Sequence, residues 1–208
     1  MQANLFEPDP DSGGCIEHRL LDDPLTEYPN FYPAAEADLL LHTLLTEIPW
    51  RQESLRMAGK VMPIPRLQCW MGDAQRHYGY SGIRLKPQAW SDEVELIRSK
   101  IRQLTTIHYN SVLLNYYRDG RDSVAWHADD EPELGPAPVI AALSLGAERP
   151  FEFRPKPGYP GRKQRLQLRH GSLLIMGKTI QDKWMHQIPK VKGLNEPRVS
   201  LTFRQIQD

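Results

Sequence analysis

From Ser111 to Arg204 the chain is written in short runs of β-branched, aromatic and aliphatic residues: SVLLNYY, SVAWH, VIAALSL, FEFRP, RLQLR, SLLIM, KWMHQI and RVSLTFR. Gly, Pro or Asp punctuates the gaps between them, which is the chemistry of turns. So many short strands in succession predict a sandwich or barrel. The 18 prolines and 14 glycines of the 208-residue chain also favour many turns over a helical bundle.

Helices are expected only upstream. In PAAEADLLLHTLLTEI, Pro33 suits the first helical position, Leu40, Leu41, Leu44, Leu45 and Ile48 form an apolar stripe, and Pro49 ends the run. A second helix begins at Ser91, an N-cap residue followed by Asp92 and Glu93, which suit the positive end of the helix dipole. Val94, Ile97, Ile101 and Leu104 give it one buried face. Residues 1–30, rich in Asp, Glu and Pro with scattered Leu5, Phe6, Leu20 and Leu21, are expected to form a partly flexible arm, some of it packed on the body. The remainder, 31–208, reads as a single domain, mainly β with flanking helices (α+β). No internal repeat or low-complexity tract interrupts it.

Twenty-six basic and 26 acidic side chains cancel, so no global field draws the chain to nucleic acid or membrane, although a local basic groove is compatible with that balance. Cys15 and Cys69 lie far apart without metal-binding spacing and read as reduced thiols. The acidic opening MQANLFEPDP lacks a cationic start and an apolar run, so no secretory signal is expected. No apolar segment approaches bilayer-spanning length. These readings predict a cytoplasmic monomer with no membrane partner.

One set of polar residues stands out from this frame. His127 and Asp129 are two residues apart in WHADDE, and His186 follows 57 positions after Asp129 in WMHQIP. Side chains two apart in a strand share a face, so His127 and Asp129 reach one ion from the end of a single strand, with His186 supplied by a second strand folding back alongside. Two imidazoles and a carboxylate leave coordination positions open, as a catalytic non-haem iron(II) site requires, although zinc also accepts such a set. Alone, H-x-D with a distant His is a weak pattern. Downstream, Arg198, Ser200, Thr202 and Arg204 fall on one face of RVSLTFR and Val199, Leu201 and Phe203 on the other. A strand with one side in the core and one in a polar cavity has this form. Guanidinium groups bind carboxylates bidentately and stay charged, so two buried arginines call for an anionic partner, which a five-carbon diacid satisfies. Asn115 and Tyr117 are also two apart in LLNYY; hydrogen bonds to the diacid and a self-satisfied polar pair are equal readings there.

These segments together resemble the AlkB family of iron(II)/2-oxoglutarate dioxygenases, and within it the animal-type homologues that act on 1-methyladenine and 3-methylcytosine. The matching stretches are IPRLQCWMGD (64–73), YGYSG (78–82), NYYRDGRDSVAWHADDEPELG (115–135), PVIAALSLGAERPFEFR (138–154), HGSLLIM (170–176), WMHQIPK (184–190) and EPRVSLTFR (196–204). The resemblance covers nearly everything from residue 55 on and leaves out residues 1–30. It implies a double-stranded β-helix, or jelly roll, with a nucleotide-recognition lid around residues 51–90. It implies iron(II) ligation by His127, Asp129 and His186, and 2-oxoglutarate binding by Asn115, Tyr117, Arg198, Ser200 and Arg204. The activity it implies is oxidative demethylation, consuming oxygen and 2-oxoglutarate and releasing succinate, carbon dioxide and formaldehyde.

A base must leave the stack to reach a buried metal. The resemblance gives substrate-binding roles to Arg66, Trp70, Met71, Tyr78, Tyr80, Asp130 and Glu131. Tyr78 or Tyr80, with the His127 ring, would sandwich the base, and the acidic pair would favour a base made cationic by alkylation. Arg66, Arg162, Lys163, Arg165, Lys178 and Lys183 are candidates for phosphate contacts. Two positions depart from the family. Ser200 replaces the usual asparagine of R-x-N-x-T-x-R, which loosens co-substrate hydrogen bonding while keeping both arginines. In LRMAGK, Ala58 stands where a duplex-specialised homologue carries a large intercalating side chain. A wedge needs bulk, so alkylated single-stranded DNA is the expected substrate ahead of duplex DNA, with RNA left open. Competing readings are a hydroxylase of a protein or small molecule using the same iron chemistry, and a nucleic-acid-binding module with a structural metal or none. The acidic pair and aromatic lid disfavour the first; an anion seat beside an open metal site disfavours the second.

Overall fold

Each expected strand from Ser111 onward forms, and the side-chain alternation along them generates the layers of the molecule. The computed structural model describes residues 14–57, 60–73, 78–80, 83–85 and 87–207, with the backbone alone described at 56, 57, 78–80 and 83–85. The strands are β1 (Ile16–Leu20), β2 (Asp23–Tyr28), β3 (Ser54–Met57), β4 (Lys60–Pro63), β5 (Leu67–Gly72), β6 (Tyr78–Tyr80), β7 (Ile83–Leu85), β8 (Ser111–Tyr117), β9 (Val124–His127), β10 (Ile140–Gly146), β11 (Arg149–Pro155), β12 (Gln164–Leu168), β13 (Ser172–Met176), β14 (Trp184–Ile188) and β15 (Arg198–Arg204). The helices are α1 (Ala34–Glu47), α2 (Asp92–Thr105) and the single turn α3 (Ile180–Lys183).

A seven-stranded antiparallel sheet runs β1-β2-β13-β10-β15-β8-β5, and a four-stranded one runs β12-β11-β14-β9. One apolar cluster lies on the helix side of the larger sheet. There Val199, Leu201 and Phe203 of β15, Val112 and Leu114 of β8, and Ala141, Leu143 and Leu145 of β10 pack with Val94, Ile97 and Ile101 of α2 and Leu44 of α1. The second cluster lies between the sheets, joining Leu113, Ile140 and Leu174 to Phe151, Phe153, Leu168 and Ile188. Helices, larger sheet and smaller sheet are thus three layers, the architecture of a jelly roll.

Several expectations need correction. Pro33 is the N-cap of α1, one position before the first helical residue. Ser91 does cap α2, its hydroxyl accepting from the Val94 amide at 3.4 Å, but Leu104 is 40% exposed. Ten residues on from Val94, it has drifted to the flank of the stripe, as 3.6 residues per turn requires. The arm does not extend to residue 30. β1 and β2 form a hairpin, and β2 pairs with β13, from Leu173↔Tyr28 to Met176↔Leu25. Leu20 and Leu25 are buried between the sheets, and burial of such alternating apolar side chains holds the hairpin on the body. Residues 1–13 lie outside the described ones. The segment 51–90 is not lid throughout: β3–β4 and β6–β7 are separate two-stranded hairpins, while β5 between them is a buried edge strand of the larger sheet. No helix among the described residues is long and apolar enough to cross a membrane.

Candidate active site

The polar face of β15 looks into the space between the sheets. Arg198, Ser200, Thr202 and Arg204 line one cavity there, joined by Asn115 and Tyr117 from the neighbouring β8. The smaller sheet supplies the opposite wall. In it β14 pairs antiparallel with β9 so that His186 stands directly across from His127. Asp129 is not on the strand with His127. It follows the end of β9, in a bend, and curls back toward the histidines. The candidate ligand atoms of His127, Asp129 and His186 lie within 4.8 Å of one another, and no other such group occurs among the described residues.

The surroundings prepare these side chains for a cation. The His127 Nδ1 lies 2.8 Å from the Ala125 carbonyl, to which it donates, a bond that selects the tautomer with its Nε2 lone pair available. Burial drives the His186 imidazole down to about 3, helped by the adjacent His127, and burial lowers His127 as well. Burial alone would raise the Asp129 carboxyl; Arg204 and the two imidazoles outweigh it and hold it at about 2. At neutral pH the set is two neutral imidazoles and one carboxylate. Arg204 Nη2 donates to Asp129 Oδ1 at 2.7 Å, orienting the carboxylate. Mixed nitrogen and oxygen donors, few in number, fit iron(II) with open positions better than a thiolate-seeking ion.

Next to this triad sits Arg198, only 2% exposed. Its Nη2 donates to Ser144 Oγ at 2.9 Å and its guanidinium lies 5.1 Å from the centre of the Tyr117 ring. Among the described residues, its Nε and Nη1 have no hydrogen-bond partner and no carboxylate pairs with it. Burial pulls it down to about 10. A charged fork held in a cavity with unused donors is a seat for an anion. Asn115 is turned toward the same cavity by its neighbours. Its Oδ1 accepts from Arg66 Nε and Gln68 Nε2, both at 2.8 Å, so its amide NH2 remains to donate.

The other expected substrate contacts divide. Arg66 lines the cavity, bound to Asn115 and to the Ser123 carbonyl, and is too buried to reach a backbone phosphate. Trp70 is buried with the inter-sheet cluster. Met71, the next residue, points to the opposite face and packs in the helix-side cluster, so it cannot touch a substrate in this cavity. Asp130 is exposed and ion-paired with Lys156 at 2.7 Å; Glu131 follows as the N-cap of the short turn Pro132–Leu134. The side chains of Tyr78 and Tyr80, and all of Ala58, lie outside the described residues. Among the phosphate candidates, Lys163 pairs with Glu152 and Lys183 with Asp23, while Arg162, Arg165 and Lys178 are exposed. Sequence reasoning missed Gln68, Ser144 and Gln181. Gln68 of β5 stands two residues after Arg66, which precedes the strand, a spacing that was there to be read; Gln181 carries no such signal, because its contact is made across 52 residues.

Comparison with known proteins agrees with this geometry. Residues 24–204 match the family model of the 2OG-Fe(II) oxygenase superfamily. The alpha-ketoglutarate-dependent dioxygenase alkB homolog 3 of Mus musculus is 41% identical over 187 residues, covering 86% of this chain, which spans 65% of that relative's length. The DNA oxidative demethylase ALKBH2 of Mus musculus is 39% identical, over 99% of this chain and 93% of that protein. Among solved structures, OsALKBH1 superposes with a TM-score of 0.59 at 15% identity, over 90% of this chain and 100% of that one, a likeness of fold.

Proposed function

The chain belongs to the 2OG-Fe(II) oxygenase superfamily and, within it, to the AlkB group, and from that premise we propose that it demethylates alkylated bases of nucleic acid, 1-methyladenine and 3-methylcytosine among them. The observation that carries the reading is the buried Arg198 fork, with two unused donors, beside a three-ligand triad in one cavity. Neither feature alone selects an oxygenase; an anion seat next to an open metal site does.

In this reading His127, Asp129 and His186 would hold iron(II), which when bound supplies the activation of dioxygen. The chain's own residues do the positioning. Arg198 and Tyr117 receive the distal carboxylate of 2-oxoglutarate, and the Asn115 amide donates to the same molecule. Arg204 holds Asp129 and adds positive charge where the proximal carboxylate would lie. Ser200, shorter than the family's asparagine, keeps the cavity polar with fewer bonds to the co-substrate. Phe151, Leu168, Val124 and Ile188 form its apolar wall and exclude water from the reacting centre. The acidic Asp130 and Glu131, next after the triad in sequence, favour a cationic base over its neutral parent. Ala58 lacks the bulk to replace an extruded base, so single-stranded DNA is favoured over duplex.

Incubation of the full chain with iron(II), ascorbate, 2-oxoglutarate and oligonucleotides bearing 1-methyladenine, 3-methylcytosine or N6-methyladenine, read by mass spectrometry, tests this. Loss of methyl from the first two, abolished by His127→Ala or Asp129→Ala, is expected. Succinate without demethylation would point to a protein or small-molecule substrate, and repair of duplex as fast as of single strands would overturn the strand preference.

A further inference from the structure

Asp129 poses a structural problem that the family-wide site does not explain. It lies past the end of β9, so the ladder with β14 no longer holds its main chain, yet the residue is 1% exposed. A buried amide away from its ladder needs another acceptor. That acceptor is the Gln181 side chain: the Asp129 N–H donates to Gln181 Oε1 at 2.9 Å. Gln181 is itself fully buried, and among the described residues its Nε2 reaches only the Met176 sulfur, at 3.6 Å, while its oxygen accepts from Asp129. With Arg204 on Oδ1, both the main chain and the carboxylate of Asp129 are held.

The location of Gln181 adds to this. It belongs to α3, the turn that runs directly into β14, five residues before His186. The same turn is held from its other side by Asp23 of β2, which accepts from Thr179 Oγ1, from Lys183 Nζ at 2.9 Å and from Trp184 Nε1 at 3.0 Å. Two candidate ligands, His186 on β14 and Asp129 past the end of β9, are therefore referenced to one turn.

We propose that Gln181 is a positioning residue of the metal centre: its amide oxygen fixes the Asp129 main chain and registers that carboxylate against His186. The proposal rests on the iron-site reading above. A neutral acceptor suits this place, because it satisfies the amide without adding charge beside the triad. Partners of this kind typically change metal affinity about 10–100-fold when lost.

The test uses the full chain and Mn(II) alone as probe, its binding followed by the electron paramagnetic resonance signal of the free ion. Gln181→Leu removes the acceptor and Gln181→Asn is one methylene too short to reach; each is expected to weaken Mn(II) at least about fivefold. The Asp129 amide should exchange with solvent faster in the Leu and Asn proteins, and kcat should fall with little change in the KM for 2-oxoglutarate. Gln181→Asn answers the question if the Leu protein does not fold. Leu or Asn proteins that bind Mn(II) within about fivefold of the parent, even with lowered melting temperature, would overturn the proposal. The underlying site reading fails differently: the parent would bind no better than His127→Ala.

Discussion

Replacing Arg198 by methionine should separate stability from function, because this guanidinium is costly to the metal-free fold and, in the proposed function, receives the co-substrate. Burial lowers it from an ordinary 12.5 to about 10, equivalent to roughly 3 kcal/mol of penalty on its charged form. That net value already includes the favourable Tyr117 contact, and the remaining offset is one hydrogen bond to Ser144 Oγ, worth about 1 kcal/mol. Methionine fills similar space without charge. The variant without metal or co-substrate should therefore be at least as stable as the parent, up to about 2 kcal/mol more so, as replacing unneutralised buried charge by apolar groups often is. In the same protein a bidentate carboxylate contact is gone, a loss of about 3–4 kcal/mol and so of about 10²–10³ in 2-oxoglutarate affinity. Urea denaturation of the metal-free chain gives the first quantity. Calorimetric titration of 2-oxoglutarate with Mn(II) in place of iron gives the second. A variant destabilised by more than about 2 kcal/mol, or one with unchanged 2-oxoglutarate affinity, would refute Arg198 as a seat held open for an anion.

The metal-free protein should lose stability as pH falls through the range set by the buried triad. His186 is held neutral down to about 3, well below its ordinary 6.5, so the unfolded chain takes up this proton first; the contribution is complete above about pH 6.5 and is lost on descending toward pH 3. Between pH 7 and 4.5 the decrease should be about 3 kcal/mol in urea titrations, and it should be markedly reduced in His186→Asn, where only the lowered His127 still contributes. Asp23→Ala leaves the buried Trp184 Nε1 donor without its acceptor and should cost about 1–3 kcal/mol in the same assay. An unchanged midpoint would remove Asp23 as the anchor of the N-terminal hairpin. Ala58→Phe should raise repair of duplex relative to single-stranded oligonucleotides about threefold or more, measured as the ratio of initial rates; a ratio equal to the parent's would show that bulk at this position does not set the preference.

What the sequence could reveal depended on the range over which each interaction acts. The alternation in RVSLTFR is local, and the observed strand keeps it residue for residue. The capping of α2 by Ser91 is equally local. Long-range facts were legible only where chemistry demanded them: an ion needs a third ligand, so a strand carrying His186 had to lie beside His127, and it does. Where no such demand exists, sequence was silent. Nothing local distinguishes Gln181 from any other glutamine in a helical turn. Met71 followed a matched motif to the wrong face, since motifs run continuously while strand faces alternate. The N-terminal hairpin was obscured by its acidic, proline-rich composition, because Asp23, an exposed residue type on average, is here buried among three donors.

The pairing of β15 explains how an unneutralised charge persists in this cavity. β15 is flanked by β10 and β8 in a continuous antiparallel register from Arg198↔Tyr117 to Arg204↔Ser111. A one-residue slip would exchange its two faces, bringing Val199, Leu201 and Phe203 into the polar cavity and driving both arginines into the helix-side core. Those three apolar side chains are fully buried, which at about 1.5–3 kcal/mol each amounts to roughly 5–9 kcal/mol in favour of the observed register. That exceeds the roughly 3 kcal/mol penalty on Arg198. The strand therefore cannot rearrange to relieve the charge. Among the described residues no carboxylate relieves it; in the proposed function the carboxylate of 2-oxoglutarate does so, and the register that buries the core also keeps that seat in the cavity.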